Sequence, residues 1–269
     1  MGTTATVDSG DSFQFSSEGT FRTGPQIASG RFYGIGVGPG EPGLLPVAAF
    51  QALRDADVIL LPRARTAEDS AARRAIEGLG IDLSKCREIA FEMNPDRAVL
   101  AAHYATLAAD LVADLQAGRT VAYLTIGDPM TYSTYIYLLD ALRARLPGLS
   151  HRTFPGVPSY CALAALAGFP LGEGKERLLV LPCPDDMEEL RAAIAQHDIV
   201  ALMKIGRRFR DVLALLRELN IAHQCVLGQH IGMADQRIVA DLTDLTPDNA
   251  LGYLSTLLIR RQPRTRRTP

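Results

Sequence analysis

Three short segments rich in glycine and proline, far apart in the chain, constrain the fold of this sequence most. They cover residues 34–43 (GIGVGPGEPG), 125–133 (TIGDPMTYS) and 154–159 (FPGVPS). Each segment follows a short apolar run typical of a β-strand and precedes a helical pattern. In an open α/β sheet all three would lie at the carboxyl ends of strands, where such folds bind their ligands. We therefore expect them to converge on a cleft lined mostly by backbone, which suits a small organic cofactor.

The chain between these segments alternates strand and helix patterns. Strands are predicted at 31–37, 58–61 and 120–125, and helices at 46–56, 95–116 and 132–145. Asn94 is placed to cap the helix at 95–116, with Pro95 at its first position. Later strands are predicted at 178–181, 199–204, 224–229, 237–240 and 253–260, and later helices at 188–196 and 209–219. The early alternation indicates a largely parallel sheet, and the consecutive late strands indicate a mixed one.

The predicted fold class is therefore α/β, with two α/β domains and a cofactor cleft between them. The N-terminal α/β domain is expected at residues 31–148 and the C-terminal α/β domain at 149–262. Residues 1–30 are rich in Ser, Thr and Gly without a sustained period, and we expect them to be disordered. Residues 263–269 form a short basic tail, which we expect to be solvated rather than to bind nucleic acid.

Composition narrows the function classes. Of the 269 residues, 47% are apolar and 22% charged, and the net charge of −2 favours neither nucleic-acid nor membrane-surface binding. No apolar run is expected to span a bilayer, and the N-terminus lacks a secretory pattern. The cysteines share no Cys-x-x-Cys spacing, so we expect reduced thiols and no metal site; they are Cys86, Cys161, Cys183 and Cys225. The expected location is the cytoplasm.

The glycine-rich segment at 34–43 also satisfies a different motif. Its glycines at 38, 40 and 43 match the G-x-G-x-x-G fingerprint of dinucleotide-binding folds. That fingerprint needs backbone N–H groups for a pyrophosphate and an acidic residue after the second strand. Pro39 and Pro42 remove two such donors, and the second strand ends at Pro62 without a carboxylate. We therefore reject a dinucleotide site, and a tight strand-to-helix turn is the structural alternative.

The other two segments also have a purely structural alternative. Asp128 and Pro129 form a suitable N-cap and first-turn pair for a helix beginning near Met130. Pro158 and Ser159 could begin the following helix in the same way. Capping explains each segment alone, but it does not explain three such turns at corresponding strand ends.

Taken in order, the motifs resemble those of the tetrapyrrole (corrin/porphyrin) methyltransferases. The resemblance runs from about residue 31 to 260 through YGIGVGPGEPGLL, ADVILLP, TIGDPMTYSTY, FPGVPS and VALMKIG. Within the family, GDPMTYSTYIYL and MKIGRR are most similar to the branch that methylates C20 of precorrin-2. The resemblance implies a homodimer with S-adenosylmethionine in the interdomain cleft. It also implies that precorrin-2 or cobalt-precorrin-2 lies in a trough beside the N-terminal domain.

The resemblance also implies site residues. By position, the cofactor contacts of the family fall on Pro39, Ile126, Gly127, Asp128, Thr131, Pro158, Ser159, Met203, Ile231 and Gly232. The acceptor carries eight carboxylates and needs local cations, which strand-end loops could supply. The expected acceptor-binding residues are Gly38, Arg63, Arg65, Tyr132, Ser133, Lys204 and Arg207. The family often has glycine in place of Ile231.

One departure from the family pattern bears on the substrate. Relatives that methylate uroporphyrinogen carry an aspartate, proposed as a proton acceptor, where this chain has Pro62. Its absence favours a later precorrin and leaves no catalytic residue assigned, so alignment of donor and acceptor would drive the reaction. The alternatives left open are another acceptor (uroporphyrinogen III, a diphthine precursor or ribosomal RNA) and a non-catalytic tetrapyrrole carrier.

Overall fold

The computed structural model describes residues 30–64, 70–92, 96–246, 248, 252 and 254–264. The predictions for residues 1–29, for Arg65, for Asn94 and Pro95, and for the tail beyond Arg264 lie outside this part of the chain.

The first sheet contains five parallel strands in the order β3-β2-β4-β1-β5. They are β1 (Arg31–Gly36), β2 (Val58–Ala64), β3 (Cys86–Phe91), β4 (Thr120–Thr125) and β5 (Ser150–Phe154). Because β4, β1 and β5 are neighbours, the three glycine-rich segments leave the same edge of the sheet, as the sequence predicted. The strand β5 lies beyond residue 148 yet pairs with β1, so the first sheet extends past the expected end of the N-terminal domain.

Helices cover both faces of the first sheet, which is why its strands are nearly continuous apolar runs. The helices are α1 (Val47–Asp55), α2 (Ala71–Arg74), α3 (Arg97–Gln116) and α4 (Tyr135–Arg145). Helices α1 and α2 pack on the face that carries Ile35 and Leu124, and α3 and α4 pack on the face that carries Phe32 and Tyr123. Since α1 and α4 lie on opposite faces, the chain changes winding direction between β1 and β4. An open α/β sheet binds ligands at such a point.

Two helices begin later than predicted. Helix α3 begins at Arg97, because the Asp96 side chain accepts a hydrogen bond from the amide of Ala98 and acts as the N-cap. Helix α4 begins at Tyr135, three residues after the predicted start at 132 and further still from the start near Met130 that the capping alternative requires.

Helix α3 also corrects an expectation about membrane spans. Its 20 residues are long and apolar enough to cross a bilayer by length and composition, whereas no such run was expected. Leu100, Tyr104 and Leu111 pack against the first sheet. Core helices of soluble proteins pass the same test, so this is weak evidence for a membrane span.

The second sheet is mixed, as predicted, with the strand order β6-β7-β10-β8-β9. Its strands are β6 (Leu178–Pro182), β7 (Ile199–Met203), β8 (Cys225–Gln229), β9 (Arg237–Ala240) and β10 (Ser255–Arg260). Helix α5 (Ser159–Leu166) packs on one face, and helices α6 (Met187–Gln196) and α7 (Phe209–Glu218) pack on the other. Strands β6, β7 and β8 run in one direction and β10 runs against them. The ends of β6, β7 and β8 therefore share one edge with the start of β10.

Short 3-10 helices complete the described part of the chain, at Pro42–Leu44, Leu83–Lys85, Gly206–Arg208 and Ala222–Gln224.

Candidate functional site

The three glycine-rich loops of the first sheet contact one another through backbone atoms. We call them loop A (37–41), loop B (126–134) and loop C (155–158). The amide of Gly127 donates to the carbonyl of Gly38 at 2.7 Å, and the two residues form an isolated bridge. A Cβ atom at Gly36 would lie 2.6 Å from the amide nitrogen of Gly156, and a Cβ at Gly156 would collide with the carbonyl oxygen of Gly127. Gly36 and Gly156 were missed as site residues, although both lie in the quoted motifs.

Asp128 connects loop B to loop C. Its Oδ1 accepts from the amide of Met130 at 2.9 Å and from the hydroxyl of Thr131 at 3.1 Å. Its Oδ2 accepts from the amide of Gly156 at 3.1 Å. The structural alternative, in which Asp128 only caps the next helix, is wrong, because left-handed Tyr132 (φ 52°) separates Asp128 from the start of α4. Asp128 instead orders two loops at once.

Hydroxyl groups hold loop B on the end of β4. The hydroxyls of Ser133 and Thr125 lie 3.1 Å apart, and Ser133 Oγ accepts from the amide of Tyr135. The ring of Tyr135 is fully buried, and Gly34 leaves the space for it because a Cβ there would collide with the ring. The Tyr135 hydroxyl lies 2.7 Å from that of Thr153 on β5. Ser133 is therefore engaged in supporting its own loop.

Loops of the second sheet contact these loops from the other side. The Tyr132 hydroxyl donates to the carbonyl of Val180 on β6 at 3.0 Å. Lys204, which follows β7, donates from Nζ to the carbonyl of Tyr132 at 3.1 Å. A Cβ at Gly232 would lie 2.7 Å from the amide of Glu41 in loop A. The two sheets thus meet through loops at one place, which we call the loop cluster.

The remaining predicted cofactor positions lie around this cluster. Pro39 in loop A is buried, and Met203 at the end of β7 is half-buried. Ile231 is buried in an apolar group with residues of α5 and β10. Pro158 is the N-cap residue of α5, and the hydroxyl of Ser159 lies 2.7 Å from that of Thr256 on β10.

Backbone strain concentrates at the loop cluster. Among the described residues, six that are not glycine have positive φ, and Asn220 and Asp241 are of types that tolerate it. The other four lie at the loop cluster. Tyr132 is in loop B, Lys204 follows β7, His230 follows β8 and Leu254 precedes β10. Such conformations cost about 1–3 kcal/mol each and cluster at binding sites. Four in one place favour a functional role for this edge.

The predicted cationic residues differ in their surroundings. Arg63 on β2 pairs with Glu88 at 2.7 Å, and both side chains are partly exposed. Lys204 is exposed overall, but the protein around its amine removes enough solvent to lower the pKa of Lys204. Arg207 is exposed on the 3-10 helix just after Lys204. The structure brings Lys204 into the loop cluster and leaves Arg63 paired with a carboxylate.

Two surface cavities lie away from the loop cluster. One of about 270 Å³ adjoins Phe169 and Arg260, and Arg260 is already paired with Glu176. The other, of about 350 Å³, lies between β3 and α3 beside His103. Neither is lined by loops A to C, so we place the candidate site at the loop cluster, where strain and close backbone contacts coincide. Within the described ranges, no group of three or more His, Cys, Asp or Glu could hold a metal ion.

Comparison with known proteins identifies the family. The profile of the "Tetrapyrrole (Corrin/Porphyrin) Methylases" matches residues 31–246, which include loops A to C and every strand from β1 to β9. The chain belongs to this family. It is 32% identical over 234 residues to the cobalt-precorrin-2 C(20)-methyltransferase of Salmonella typhimurium, covering 87% of this chain and 98% of that protein. It is 31% identical over 241 residues to the precorrin-2 C(20)-methyltransferase of Sinorhizobium sp, covering 87% and 96%.

Solved structures agree with this assignment at the level of the fold. The cobalt precorrin-4 methyltransferase CbiF matches with a TM-score of 0.66 at 20% identity, covering 89% of this chain and 99% of that one. Uroporphyrin-III C-methyl transferase from Thermus thermophilus, complexed with S-adenyl homocysteine, matches with a TM-score of 0.54 at 19% identity, covering 86% and 97%. The chain therefore has the tetrapyrrole methylase fold.

Proposed function

We propose that this protein transfers a methyl group from S-adenosylmethionine to C20 of precorrin-2, in its metal-free or its cobalt-bound form, to give precorrin-3A or its cobalt counterpart. The observation that carries the proposal is the similarity over nearly the whole chain to two relatives named for C20 methylation. A homodimer, a cytoplasmic location and a role in cobalamin biosynthesis are proposed with it, on the family resemblance.

The loop cluster fits a nucleoside-containing donor. Gly36 and Gly156 bring their backbone segments together where a Cβ would collide, and Gly127 has a left-handed backbone (φ 73°), so N–H and C=O groups rather than side chains line the edge. Backbone N–H and C=O groups can bind a small polar molecule, so that few side chains are needed for its recognition. The proposed donor contacts are Pro39, Ile126, Gly127, Asp128, Thr131, Pro158, Ser159, Met203, Ile231 and Gly232. Within this set, Asp128 acts by holding Thr131 and Gly156 in place.

Alignment is the main contribution that these residues can make. S-adenosylmethionine supplies a methyl group on a positively charged sulfur, which a carbon nucleophile can attack without further activation. Loops A, B and C position such a donor and exclude water from it, which lowers the barrier of an in-line displacement. Pro62 lies on β2 where uroporphyrinogen-methylating relatives have aspartate, and its carbonyl accepts from Ser70 at 2.7 Å. No dedicated general base is proposed at that position.

The acceptor carboxylates require cations at the edge of the trough. Arg207 is exposed beside the loop cluster and is the proposed carboxylate ligand on the second sheet. Arg63 could exchange Glu88 for a substrate carboxylate, because both side chains are partly exposed. The family resemblance also assigns Gly38, Arg65, Ser133, Tyr132 and Lys204 to the acceptor side. The contacts of Tyr132 and Lys204 with each other favour a different role for these two residues.

Mass spectrometry of reaction products tests the proposal. The purified protein would be incubated with S-adenosylmethionine and with metal-free or cobalt-loaded precorrin-2, in parallel. A mass gain of one methyl group, located at C20 by NMR, is the expected result, and the preferred form identifies the substrate. Tetrapyrrole binding without methylation would identify a carrier instead. Methylation of uroporphyrinogen III but not of precorrin-2 would overturn the proposed acceptor.

A further inference from the structure

We infer that Tyr132 and Lys204 are positioning residues that clasp loop B onto the second sheet, rather than ligands of the acceptor carboxylates. The effect of this clasp on methyl transfer rests on the function proposed above. The two hydrogen bonds that form the clasp do not depend on that function.

The clasp consists of two hydrogen bonds that run between the sheets. The Tyr132 hydroxyl donates to the carbonyl of Val180 on β6 at 3.0 Å. Lys204, which follows the neighbouring strand β7, donates from Nζ to the carbonyl of Tyr132 at 3.1 Å. Tyr132 is thus held at its side chain by strand β6 and at its backbone by the residue that follows strand β7. The Lys204 ammonium also lies 6.0 Å from the centre of the Tyr132 ring.

Backbone conformation supports the same inference independently. Tyr132 and Lys204 have φ values of 52° and 54°, which asparagine or glycine would adopt more easily. A large residue is retained at such a position only when its surroundings over-determine it. For Tyr132 and Lys204 the described surroundings include their bonds to each other and to Val180. The strain therefore coincides with the contact between the sheets.

The position of the clasp determines which ligand it would affect. Tyr132 lies in the same loop as Gly127, Asp128 and Thr131, three of the proposed donor contacts. Asp128 also links loop B to loop C, because its side chain accepts a hydrogen bond from the amide of Gly156. Loosening Tyr132 would therefore disturb the donor site first. With Lys204 engaged by the Tyr132 carbonyl, the cations assigned to the acceptor carboxylates are Arg207, Arg63 and Arg65.

A comparison of Lys204→Met with Lys204→Arg tests the clasp. Methionine keeps the length of the side chain but cannot donate, whereas arginine restores a cationic donor. The control is Lys175→Met, which removes an exposed lysine from the turn before Arg177. Affinity for S-adenosylhomocysteine should fall about tenfold in Lys204→Met, the loss expected for one charge-assisted hydrogen bond. It should be largely restored in Lys204→Arg, with the KM for the acceptor unchanged.

Tyr132→Phe provides a second variant that removes only the hydroxyl bond to Val180. It should weaken S-adenosylhomocysteine binding in the same direction and leave the melting temperature close to that of the parent. A rise in the KM for the acceptor, with donor affinity unchanged in both variants, would overturn the clasp and return Lys204 to the role of a carboxylate ligand.

Hydrogen exchange in the ligand-free protein separates the clasp from the proposed function. The amides of Met130 and Thr131 in loop B should exchange faster in Lys204→Met than in Lys175→Met. Equal exchange in the two variants would overturn the clasp even if methylation is confirmed. Failure of the unaltered protein to bind S-adenosylhomocysteine would overturn the proposed function. The hydrogen-exchange comparison would still test whether the clasp exists.

Discussion

The two sheets contribute to the loop cluster by mostly different means. On the first sheet, Gly36 and Gly156 lack a side chain, so that backbones approach closely. On the second sheet, Lys204 and Leu254 keep their side chains and accept a left-handed backbone that costs free energy, as Tyr132 also does in loop B. Close contact between backbones requires glycine, so it can be recognised as a motif in the sequence. A strained backbone at a large residue depends on tertiary contacts, so no sequence motif reveals it.

The largest expected effect is that of adding a Cβ atom where two backbone segments of the first sheet lie in close contact. In Gly156→Ala the new Cβ would collide with the carbonyl of Gly127 and approach Gly36, and both obstacles are backbone. We expect the free energy of unfolding to fall by about 2–3 kcal/mol, measured by urea denaturation. Gly148→Ala is the matched control, because a Cβ there would meet no atom within 4 Å and the φ of Gly148 is not positive. Equal stability of the two variants would contradict the close approach of loops B and C.

The next effect concerns Asp128. Asp128→Ala should lower the free energy of unfolding by about 1–3 kcal/mol, because it removes three hydrogen bonds that order loops B and C. Asp186→Ala is the control, since Asp186 caps α6 through the amide of Glu188 and lies in a different loop. Calorimetry should show weaker S-adenosylhomocysteine binding for the Asp128 variant alone. The same loss in both variants would mean that Asp128 is only a capping residue.

Strain on the second sheet can be tested at Leu254, whose side chain is 48% exposed and whose φ is 45°. Leu254→Gly should leave the free energy of unfolding unchanged or raise it by up to about 1 kcal/mol, because glycine adopts this conformation freely. Leu166, also exposed, lies at the end of helix α5, where Leu166→Gly should cost about 0.5–1 kcal/mol. Thermal unfolding compares the two. A larger loss for Leu254→Gly would show that its backbone is not strained.

The smallest expected effect is a pH dependence at Lys204. Because partial burial lowers the pKa of Lys204 in the folded protein, the unfolded chain binds more protons as the pH approaches 10.5. The unfolding free energy of the parent, relative to that of Lys204→Met, should therefore rise as the pH increases through this alkaline range. Urea denaturation at several pH values measures the difference, and a difference that falls with pH would contradict the partial burial.

Much of the fold followed from local patterns. The apolar runs at β1, β4 and β7 were predicted almost to the residue, because buried strands carry a strong compositional signal. The capping alternative for Asp128 was wrong because aspartate has the residue type of a cap, and only its bond to Gly156 shows that it serves another loop. The domain boundary expected at residue 148 assigned β5 to the C-terminal domain, whereas Ser150–Phe154 pairs with β1, and such a long-range pairing leaves no local signal.

The sequence by itself determined where the first sheet would carry its loops and to which family the chain is similar. It did so because glycine and proline restrict the backbone locally, whatever the rest of the chain does. Only the tertiary structure decided that Asp128 joins loop B to loop C and that Lys204 reaches Tyr132, 72 positions away in the chain. These contacts depend on how two separately wound sheets meet, and no local preference of either residue specifies a partner so distant.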